Sequence, residues 1–446
     1  MSDPSPQAGT AADTSAAPEP DFDVIVVGAG VAGCVAAYRL AQAGRSVVLV
    51  ERGETPGSKN LSGGVLYSRV LEQVFPDLLT EAPIERRITR NHIQFLNETS
   101  SVGIDYQDAR LADPVNAVTV LRARFDAWLA EKCEEVGVFL MAGVRVDGVL
   151  TENGRVVGVR AGDDELRAHV VVAADGVNSF LAREAGLRDK PPTHHLAVGV
   201  KAVVSLPERT IAERFHLVGD EGAAYAVVGD CTLGIGGGGF LYTNRDSLSI
   251  GVVLRLDDLV RKGLRSADVF DHFLTHRFVA PLLEGGEISE YGSHLVAEGG
   301  LSMVGRTETD GMVVVGEAAG LTLNTGLTVR GMDLAAASGL AAATGIDEAL
   351  TRGDTSAAGL AGYRRELFAG FAGKDMQTYA KAPAFLERDR MYEQYGSLIG
   401  EVLYGMFHHD LTPRRHLLSV ARSALKKSPV RMRDLVSDGL AGVRAL

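Results

Sequence analysis

The stretch that decides the fold spans residues 21–52 and reads DFDVIVVGAGVAGCVAAYRLAQAGRSVVLVER. Its apolar run, residues 24–27, predicts a buried parallel strand. Gly28, Gly30 and Gly33 follow at the spacing of a strand-to-helix turn that lets backbone approach a pyrophosphate. A second strand, residues 46–50, ends in Glu51, close to the spacing at which a carboxylate accepts hydrogen bonds from a ribose. Together with the open N-terminus of the intervening helix, this pattern predicts a doubly wound α/β domain that binds a dinucleotide.

Composition sets the size and charge of the molecule. The chain has 446 residues, is 46% hydrophobic and carries a formal net charge of −12, so it can bury a large core in two or three lobes. An acidic chain has no electrostatic support for nucleic-acid binding. The charge is uneven, because residues 412–446 hold eight Lys or Arg against two acids. We expect this segment to face an acidic partner or an anionic lipid surface, with a solvated helical tail as an equal alternative.

Cysteine usage and apolar runs bear on compartment and cofactors. The three cysteines, Cys34, Cys133 and Cys231, are scattered, which suits a reducing cytoplasm and falls short of the four thiolates that usually hold an iron–sulfur cluster. Residues 1–20, rich in Ala, Pro and Ser, predict a disordered leader. The most apolar stretch, residues 311–340, is interrupted by charges, so we expect no membrane-spanning helix.

The remaining pattern divides the chain into domains. Asn153-Gly154 predicts a hairpin turn, and residues 170–174 predict a buried strand that delivers Asp175 and Gly176 to its carboxyl end, where open α/β sheets bind ligands. Residues 191–294 alternate like a separate sheet. The predicted division is a leader at 1–20, a discontinuous cofactor domain at 21–190 and 295–350, an inserted β-rich domain at 191–294, and a helical C-terminal region at 351–446. In that last region we expect the aromatic residues from Tyr363 to Phe407 to serve in packing.

Several longer strings carry a family resemblance. GAGVAG, Glu51, Arg122, AADG and GEAAG resemble the FAD contacts of p-hydroxybenzoate hydroxylase-like flavoproteins. The strings GSKNLSGGVLY, LRARFDAWL, ADGVNSFLA, GGGFLYTN and TVRGMDLA look like those of the FixC family. That family is akin to electron-transfer-flavoprotein:quinone oxidoreductase and works with two electron-transfer flavoprotein subunits, FixA and FixB, and the ferredoxin-like FixX. The resemblance covers residues 22 to about 395 and implies a Rossmann-like FAD-binding domain.

The resemblance also implies roles for individual residues. Gly28, Gly30 and Gly33 would hold the pyrophosphate, Glu51 the adenosine ribose, and Arg122 the phosphate region. Arg52 is also expected among the cofactor-binding residues. Asp175 and Gly176 would flank the cofactor, and Gly316 with Glu317 would meet the ribityl chain. The isoalloxazine would be bordered by two turns, made of Ser62, Gly63 and Gly64 and of Asn324 to Gly326. One departure is plain, because the family usually has Asp where this chain has Glu317; the longer side chain keeps the carboxylate but shifts it.

For the other candidate residues, the sequence gives less support for a functional role. The pairs His194-His195 and His408-His409 lack carboxylates at ligand spacing, so we expect no metal site. Arg330, assigned to the helix after the late glycine turn, could offer positive charge to reduced flavin or a partner; a surface salt bridge is equally consistent. Tyr242 could line the quinone or partner side, although a core tyrosine is the more ordinary role. The sequence assigns no catalytic residue.

The family resemblance implies an FAD-dependent oxidoreductase that accepts electrons from an electron-transfer flavoprotein and passes them towards quinone. A separate FixX-like ferredoxin would supply the iron–sulfur centre that the three cysteines cannot. We expect a cytoplasmic protein, with peripheral contact to the inner face of the membrane. Two alternatives stay open at this point: a flavin monooxygenase or prenyl reductase with an organic substrate under the 191–294 sheet, and a flavin-binding scaffold subunit without turnover.

Overall fold

A computed structural model describes residues 19–60 and 63–446. Most of the predicted leader, residues 1–18, and Ser62 lie outside the described residues. The described strands, in chain order, are β1 (Phe22–Val27), β2 (Val47–Glu51), β3 (Gly63–Tyr67), β4 (Ile84–Leu96), β5 (Ser101–Gln107), β6 (Ala117–Leu121), β7 (Phe139–Ala142), β8 (Gly148–Glu152), β9 (Arg155–Ala161), β10 (Asp164–Ala173), β11 (Leu196–Ser205), β12 (Glu221–Gly229), β13 (Gly237–Thr243), β14 (Ser247–Arg255), β15 (Glu287–Ala297), β16 (Glu308–Thr309), β17 (Met312–Val314), β18 (Leu323–Asn324) and β19 (Val329–Arg330).

The helices connect and cover these strands. In chain order they are α1 (Val31–Gln42), α2 (Arg69–Glu72), α3 (Leu78–Glu81), α4 (Arg122–Glu135), α5 (Phe180–Glu184), α6 (Glu208–Phe215), α7 (Leu256–Lys262), α8 (Ser266–Thr275), α9 (Ala280–Leu283), α10 (Met332–Arg352), α11 (Ala357–Leu360), α12 (Gly362–Ala369), α13 (Phe371–Thr378), α14 (Ala382–Leu386), α15 (Arg390–Glu393), α16 (Tyr395–Phe407), α17 (Leu417–Lys427) and α18 (Met432–Ala445).

The first sheet is the predicted nucleotide-binding sheet. Its strand order is β16-β17-β10-β1-β2-β7, and β1 runs parallel to both β10 and β2. Four apolar residues of β1 are buried, as are the small residues along α1. Helix α10 packs directly on α1, because a Cβ on Gly339 would lie only 2.4 Å from the Ala32 carbonyl oxygen. The small residues of α10 therefore allow its backbone to pack closely against α1, beside the nucleotide-binding turn.

The second sheet is larger than the sequence suggests. Its order is β15-β11-β14-β13-β12-β4-β6-β3, with β5 paired to β4. Our domain division groups residues 63–121 with the cofactor domain, whereas the structure pairs the strands of that segment, β3 to β6, with the second sheet. Parallel pairing of β4 with β12 joins segments more than a hundred residues apart, a contact that local sequence pattern does not encode.

The two sheets have separate hydrophobic cores. The first gathers residues of β1, β2 and β10 with α1, α4 and α10. The second lies on one face of β11 and β14, where Phe215, Phe270 and Phe273 of α6 and α8 are buried. On β11 this core takes Val200, Ala202 and Val204, so the residues between them point to the opposite face.

The C-terminal region is helical, as predicted, but only some of its aromatic residues are buried. Tyr363, Phe385 and Tyr392 are buried, whereas Tyr404 and Phe407 are exposed. The prediction that all of these aromatics pack inside is wrong for the exposed members, because α16 lies at the surface. Among the described residues, no helix has the length and apolar character needed to cross a bilayer.

Candidate functional site

The glycine turn between β1 and α1 combines close packing with an open groove. Gly28 has a φ of +107°, and a Cβ there would lie 2.4 Å from the Ala174 carbonyl oxygen; a Cβ on Gly33 would lie 2.0 Å from the Gly28 oxygen. Both glycines are needed for strand and helix to touch. Gly30 differs, since the nearest atom to its Cβ would be Arg122 Nη2 at 3.9 Å. The turn therefore presents the N-terminus of α1 to open space, as an anion site requires.

Glu51 ends β2 beside this turn. Its Oε2 accepts a hydrogen bond from the Ala29 N–H at 3.0 Å, and its Oε1 accepts one from the Gly53 N–H at 2.7 Å. Each carboxylate oxygen has two lone pairs, so both retain capacity for a ribose hydroxyl. Arg52, the next residue, is exposed. The structure thus ties the ribose candidate to the backbone of the phosphate turn.

Arg122 is the first residue of α4 and reaches the groove beside Gly30. Its guanidinium holds the Asp126 carboxylate through two hydrogen bonds of 2.7 Å, and Asn60 donates to the same carboxylate at 2.9 Å. Burial disfavours the charge on Arg122, but Asp126 outweighs that effect and raises its pKa above the ordinary value. Arg122 is therefore a fixed cation at the expected phosphate position.

Gly57 brings the loop after β2 into close contact with the start of α4. Its φ is +85°, and a Cβ would lie 2.5 Å from the Arg122 carbonyl oxygen. The close approach is to the start of α4 and not to a cofactor ring. This glycine lets the loop after β2 pack on the helix that carries Arg122.

Asp175 and Gly176 follow β10 at the edge of the first sheet where β1 also ends. Asp175 Oδ2 accepts a hydrogen bond from the Leu181 N–H at 3.0 Å, whereas its buried Oδ1 lacks a partner. Nearby, Arg183 Nε and Arg188 Nη2 are also buried without a partner within the described chain. Buried polar atoms are almost always hydrogen-bonded in proteins. These unsatisfied atoms, the open groove at Gly30 and the fixed cation fit a ligand with the polar groups of FAD.

Glu317 connects the two sheets. It lies in the 3-10 turn Gly316–Ala319, and its Oε1 accepts a hydrogen bond from the Ala297 N–H at the end of β15, at 3.3 Å. Gly316 has a φ of +63°, and its Cβ would meet that of Ala32 at 2.8 Å, so the turn packs on α1. Burial raises the pKa of the Glu317 carboxyl, against the lowering effect of the Ala297 N–H and nearby cations. Contact with the ribityl chain stays a prediction.

The residues expected at the isoalloxazine lie in two separate segments. Gly63 and Gly64 are in β3, an edge strand of the second sheet, and a Cβ on Gly64 would lie 3.2 Å from Met332 Cε at the start of α10. Asn324 and Gly326 lie in the β18–β19 hairpin, where Asn324 Oδ1 accepts a hydrogen bond from the Gly326 N–H at 2.8 Å. Met332 follows this hairpin directly. Both segments therefore converge on the N-terminal end of α10.

Arg330 and Tyr242 occupy positions that the sequence places only roughly. Arg330 precedes α10 and does not lie within it; it ends β19 and bonds Asp333 at 2.7 Å and Asp375 at 2.6 Å. Its guanidinium also lies 5.7 Å from the ring of Tyr67. The assignment to the helix is wrong because residues 321–331 form a hairpin first. Tyr242 stacks on Phe240 with ring centroids 4.9 Å apart.

Sequence reasoning misses two side chains that contact or act on predicted site residues. Glu298, just after β15, hydrogen-bonds the side chain of Asn324, and burial raises the pKa of Glu298 to about 7. Lys201, in β11, is half-buried, and burial together with Arg122 lowers its pKa to about 8. The available signal for Lys201 was a lysine inside the apolar run AVGVKAVVSL. Glu298 offers no such signal, because only the fold brings it to Asn324.

The histidine pair acquires a carboxylate in three dimensions. His194, His195 and Glu387 place one potential ligand atom each within 4.8 Å of one another. The argument that no carboxylate lies near the pair is therefore wrong in space, although it holds along the sequence. His194 and Glu387 are exposed, and exposed groups of this kind are common without an ion. The expectation that the chain holds no metal stays a prediction.

Comparison with known proteins agrees with this geometry. A family profile described as FAD binding domain matches residues 21–219. Among solved structures, a geranylgeranyl bacteriochlorophyll reductase-like protein from Thermoplasma acidophilum aligns with a TM-score of 0.70 at 20% identity, over 94% of this chain and 99% of that one. A flavoprotein/dehydrogenase from Cytophaga hutchinsonii aligns with a TM-score of 0.60 at 17% identity, over 95% and 98%. At such identities these structures show a shared fold.

Two curated relatives are much closer in sequence. The probable electron transfer flavoprotein-quinone oxidoreductase YdiS of Escherichia coli (strain K12) is 44% identical over 95% of this chain and 99% of its own length. Protein FixC of Salmonella typhi is 42% identical over 95% and 99%. The identity extends over both sheets and the C-terminal helices. The chain belongs to the FixC family of FAD-dependent oxidoreductases, alongside relatives named as electron-transfer-flavoprotein:quinone oxidoreductases.

Proposed function

We propose that this flavoprotein accepts electrons from an electron-transfer flavoprotein of the FixA/FixB type and passes them towards quinone. The observation that carries the proposal is the 44% identity to YdiS, a protein named for both of these partners, over 95% of the chain. The solved structures with other named activities are at or below 20% identity, so they support the fold and not a reaction. A monooxygenase or prenyl reductase, and a scaffold without turnover, are the alternatives that the tests below separate.

The chain's own residues bind and enclose the cofactor. Bound FAD can accept two electrons and release them singly or as a pair. The turn at Gly30 and the cation Arg122 would hold its phosphates, and Glu51 its ribose. The second sheet closes over the groove through the Glu317–Ala297 hydrogen bond, which limits access of water and oxygen to the ring.

The cysteines favour a separate iron–sulfur partner. Cys34, Cys133 and Cys231 are all buried and free, and burial raises the pKa of the Cys231 thiol to about 12. Iron–sulfur clusters usually need four thiolates at one site, and these three lie in two different hydrophobic cores. A FixX-like ferredoxin subunit would therefore supply the iron–sulfur step of the pathway.

An apolar surface lies next to the segment expected at the isoalloxazine. Leu327 and Val329, on the β18–β19 hairpin, are 57% and 58% exposed, and Phe371 beside Arg330 is 42% exposed. Exposed apolar groups in proximity mark binding surfaces. A cavity of about 280 Å³ between the start of α4 and the second sheet has three charged residues and three serines among its nine lining residues, so it suits a quinone ring poorly. We place quinone approach at the hairpin.

The basic C-terminal surface, made of α17, α18 and the loops before them, is the proposed docking face. Helix α18 is anchored to the C-terminal region, because Asp438 is buried and pairs with Arg390 at 2.9 Å. The outer faces of α17 and α18 expose Leu418, Met432 and Val443 among the basic residues. Apolar groups interleaved with cations suit the inner face of an anionic membrane, where quinone resides, or an acidic partner.

Reconstitution tests the proposal. Purified protein is mixed under anaerobic conditions with reduced electron-transfer flavoprotein, a FixX-like ferredoxin and a soluble quinone analogue, and quinone reduction is measured. We expect turnover that needs both protein partners. Leu327→Ser with Val329→Ser should raise the KM for quinone without loss of FAD, and Thr351→Ser on the far end of α10 is the matched control. Oxygen consumption coupled to an organic substrate would instead indicate a monooxygenase.

A further inference from the structure

Lys201 lies on the face of the second sheet that is turned away from the hydrophobic core. Its neighbours in β11, Val200 and Ala202, are buried in the second core. Alternation along a strand then puts Lys201 on the opposite face. That face looks towards the first sheet, since the charges that act on Lys201 include Arg122 of α4 and Glu317 of the late glycine turn.

Lys201 is flanked by glycines in both neighbouring strands, and the Phe240 ring covers the one in β14, since a Cβ on Gly251 would lie 2.5 Å from Phe240 Cζ. Lys201 pairs with Gly251 of β14 and with Gly292 of β15. Residues paired across antiparallel strands share a face, so both direct neighbours of Lys201 on that face contribute no side chain. Along β15, Glu290 and His294 lie two residues to either side of Gly292 on the same face, and His294 pairs with Gly199. This face of the sheet thus carries the Lys201 ammonium and the His294 imidazole, and the residues paired with them are glycines.

Charges of both signs surround Lys201, and burial is the largest cause that lowers its pKa. Arg122 disfavours its charge, and Glu317 and Glu290 support it. Burial lowers the pKa of His294, and Lys201, Arg52 and Arg122 lower it further. Asp126 is already engaged by two hydrogen bonds from Arg122. Burial and Arg122 together outweigh the two carboxylates and disfavour the charged form of Lys201, and a bound anion would favour that form.

We propose that Lys201, with His294 beside it, is a further FAD-binding residue whose ammonium contacts an anionic group of the cofactor from the second sheet. The inference rests on the FAD site described above, because Arg122 and Glu317 are the residues expected at the phosphates and the ribityl chain. The shared chemistry is an anion of the cofactor, either the diphosphate, charged in every redox state, or the isoalloxazine when reduced. With either contact, FAD binding depends on the position of the second sheet relative to the first.

Binding of FAD to the cofactor-free protein tests the assignment without turnover. The dissociation constant is measured from quenching of flavin fluorescence for the wild type, Lys201→Met, Lys201→Arg and His294→Gln, with the exposed Lys374→Met as control. If the diphosphate is the partner, Lys201→Met should weaken binding of oxidised FAD about tenfold or more at pH 7, since one charge-assisted hydrogen bond is lost. Lys201→Arg should stay within about threefold, and the control should not change.

The pH dependence separates a binding role from a structural one. Lys201 is charged below its pKa of about 8 and loses the proton as pH rises through that value. A bound anion raises the pKa, so the dissociation constant should be flat at low pH and rise above about pH 8 by up to tenfold per pH unit. In Lys201→Arg and Lys201→Met this rise should disappear, because neither side chain titrates there.

The redox potential distinguishes the two anions. If the reduced isoalloxazine is the partner, Lys201→Met lowers the midpoint potential of bound FAD and leaves binding of oxidised FAD unchanged. If the diphosphate is the partner, the potential stays constant and the affinity falls. The proposal is wrong if Lys201→Met, folded as judged by circular dichroism, keeps both the wild-type dissociation constant and the wild-type potential. Failure of quinone reduction by the wild type, with either FAD effect present in Lys201→Met, would instead refute the proposed function alone.

Discussion

Replacement of Gly30 by valine should abolish FAD binding and leave the fold intact. The backbone at Gly30 is extended, with φ −84° and ψ −178°, a conformation open to valine. A Cβ there meets only Arg122 Nη2, at 3.9 Å. Gly30 is the N-cap residue of α1, and valine is less favourable than glycine at that position. The replacement should lower the free energy of unfolding by about 1 kcal/mol at most. The cofactor-free protein should therefore unfold at nearly the wild-type denaturant concentration.

The loss of affinity follows from the contacts that valine blocks. A phosphate at the start of α1 accepts hydrogen bonds from backbone N–H groups at about 2.9 Å, a distance that leaves no space for a side chain at Gly30. Each such bond to a charged group is worth about 1.5–3 kcal/mol. Loss of two corresponds to roughly 3 kcal/mol or more, a factor of at least about one hundred in the dissociation constant.

The assay combines FAD titration of the cofactor-free protein with urea unfolding of the same sample. Gly28→Ala is the matched comparison, because its Cβ would lie 2.4 Å from the Ala174 carbonyl oxygen at a φ of +107°. That variant should lose several kcal/mol of stability, so its loss of FAD would follow from damage to the fold. Gly30→Val with wild-type FAD affinity would refute the placement of the phosphates at this turn.

Three further outcomes are expected. The purified chain should contain no iron–sulfur centre after reconstitution with iron and sulfide, and should reduce quinone poorly until a ferredoxin-like partner is added; stoichiometric cluster in the isolated chain would overturn this. Four cations of the C-terminal surface, Arg414, Arg415, Lys426 and Lys427, are replaced by Gln. The change should weaken binding to anionic liposomes or to the partner flavoprotein, most strongly at low salt, with FAD content unchanged. Identical binding of wild type and variant across a salt series would contradict this prediction. Acid should detach the C-terminal helices, because the pKa of Asp438 is lowered to about 2 by its hydrogen bonds with Arg390, Tyr395 and Arg388. Its contribution is complete above the unfolded pKa of about 4 and is lost as pH falls through about 2. Asp438→Asn should mimic that loss at pH 7, measured by limited proteolysis of α17 and α18.

Local sequence pattern predicts the first sheet well. The strand, glycine turn, helix and second strand of residues 21–52 appear as β1, α1 and β2, and the Asn153-Gly154 turn joins β8 to β9. These elements are contiguous in sequence and their chemistry is local, since positive φ at a turn or close packing of a helix on a strand selects glycine. The FAD-binding fold and the family that these residues suggested are confirmed by the family profile and by relatives matched over 95% of the chain.

The second sheet and the edges of the site resist sequence reasoning. Strand β4 pairs with β12 although the two lie far apart in the chain, and neither strand carries a signal for the other. The position of Arg330 is another detail that the sequence does not predict. The helix-like pattern around it does not reveal the two short strands β18 and β19, which precede the start of α10 at Met332. Lys201 and Glu298 likewise acquire their neighbours through the pairing of β11 with β15 and the packing of distant segments, which is why a motif search passes over them.

The most direct test of the central claim is an anaerobic rapid-mixing experiment on the purified protein with reduced electron-transfer flavoprotein. The absorbance of bound flavin reports its oxidation state, first after mixing with the reduced flavoprotein and then after addition of a quinone analogue with the ferredoxin-like subunit. Our account predicts that the flavin bleaches with the first partner and recovers its colour with quinone. Flavin that ignores the reduced flavoprotein but bleaches with a nicotinamide cofactor, and recovers only with oxygen, would contradict it.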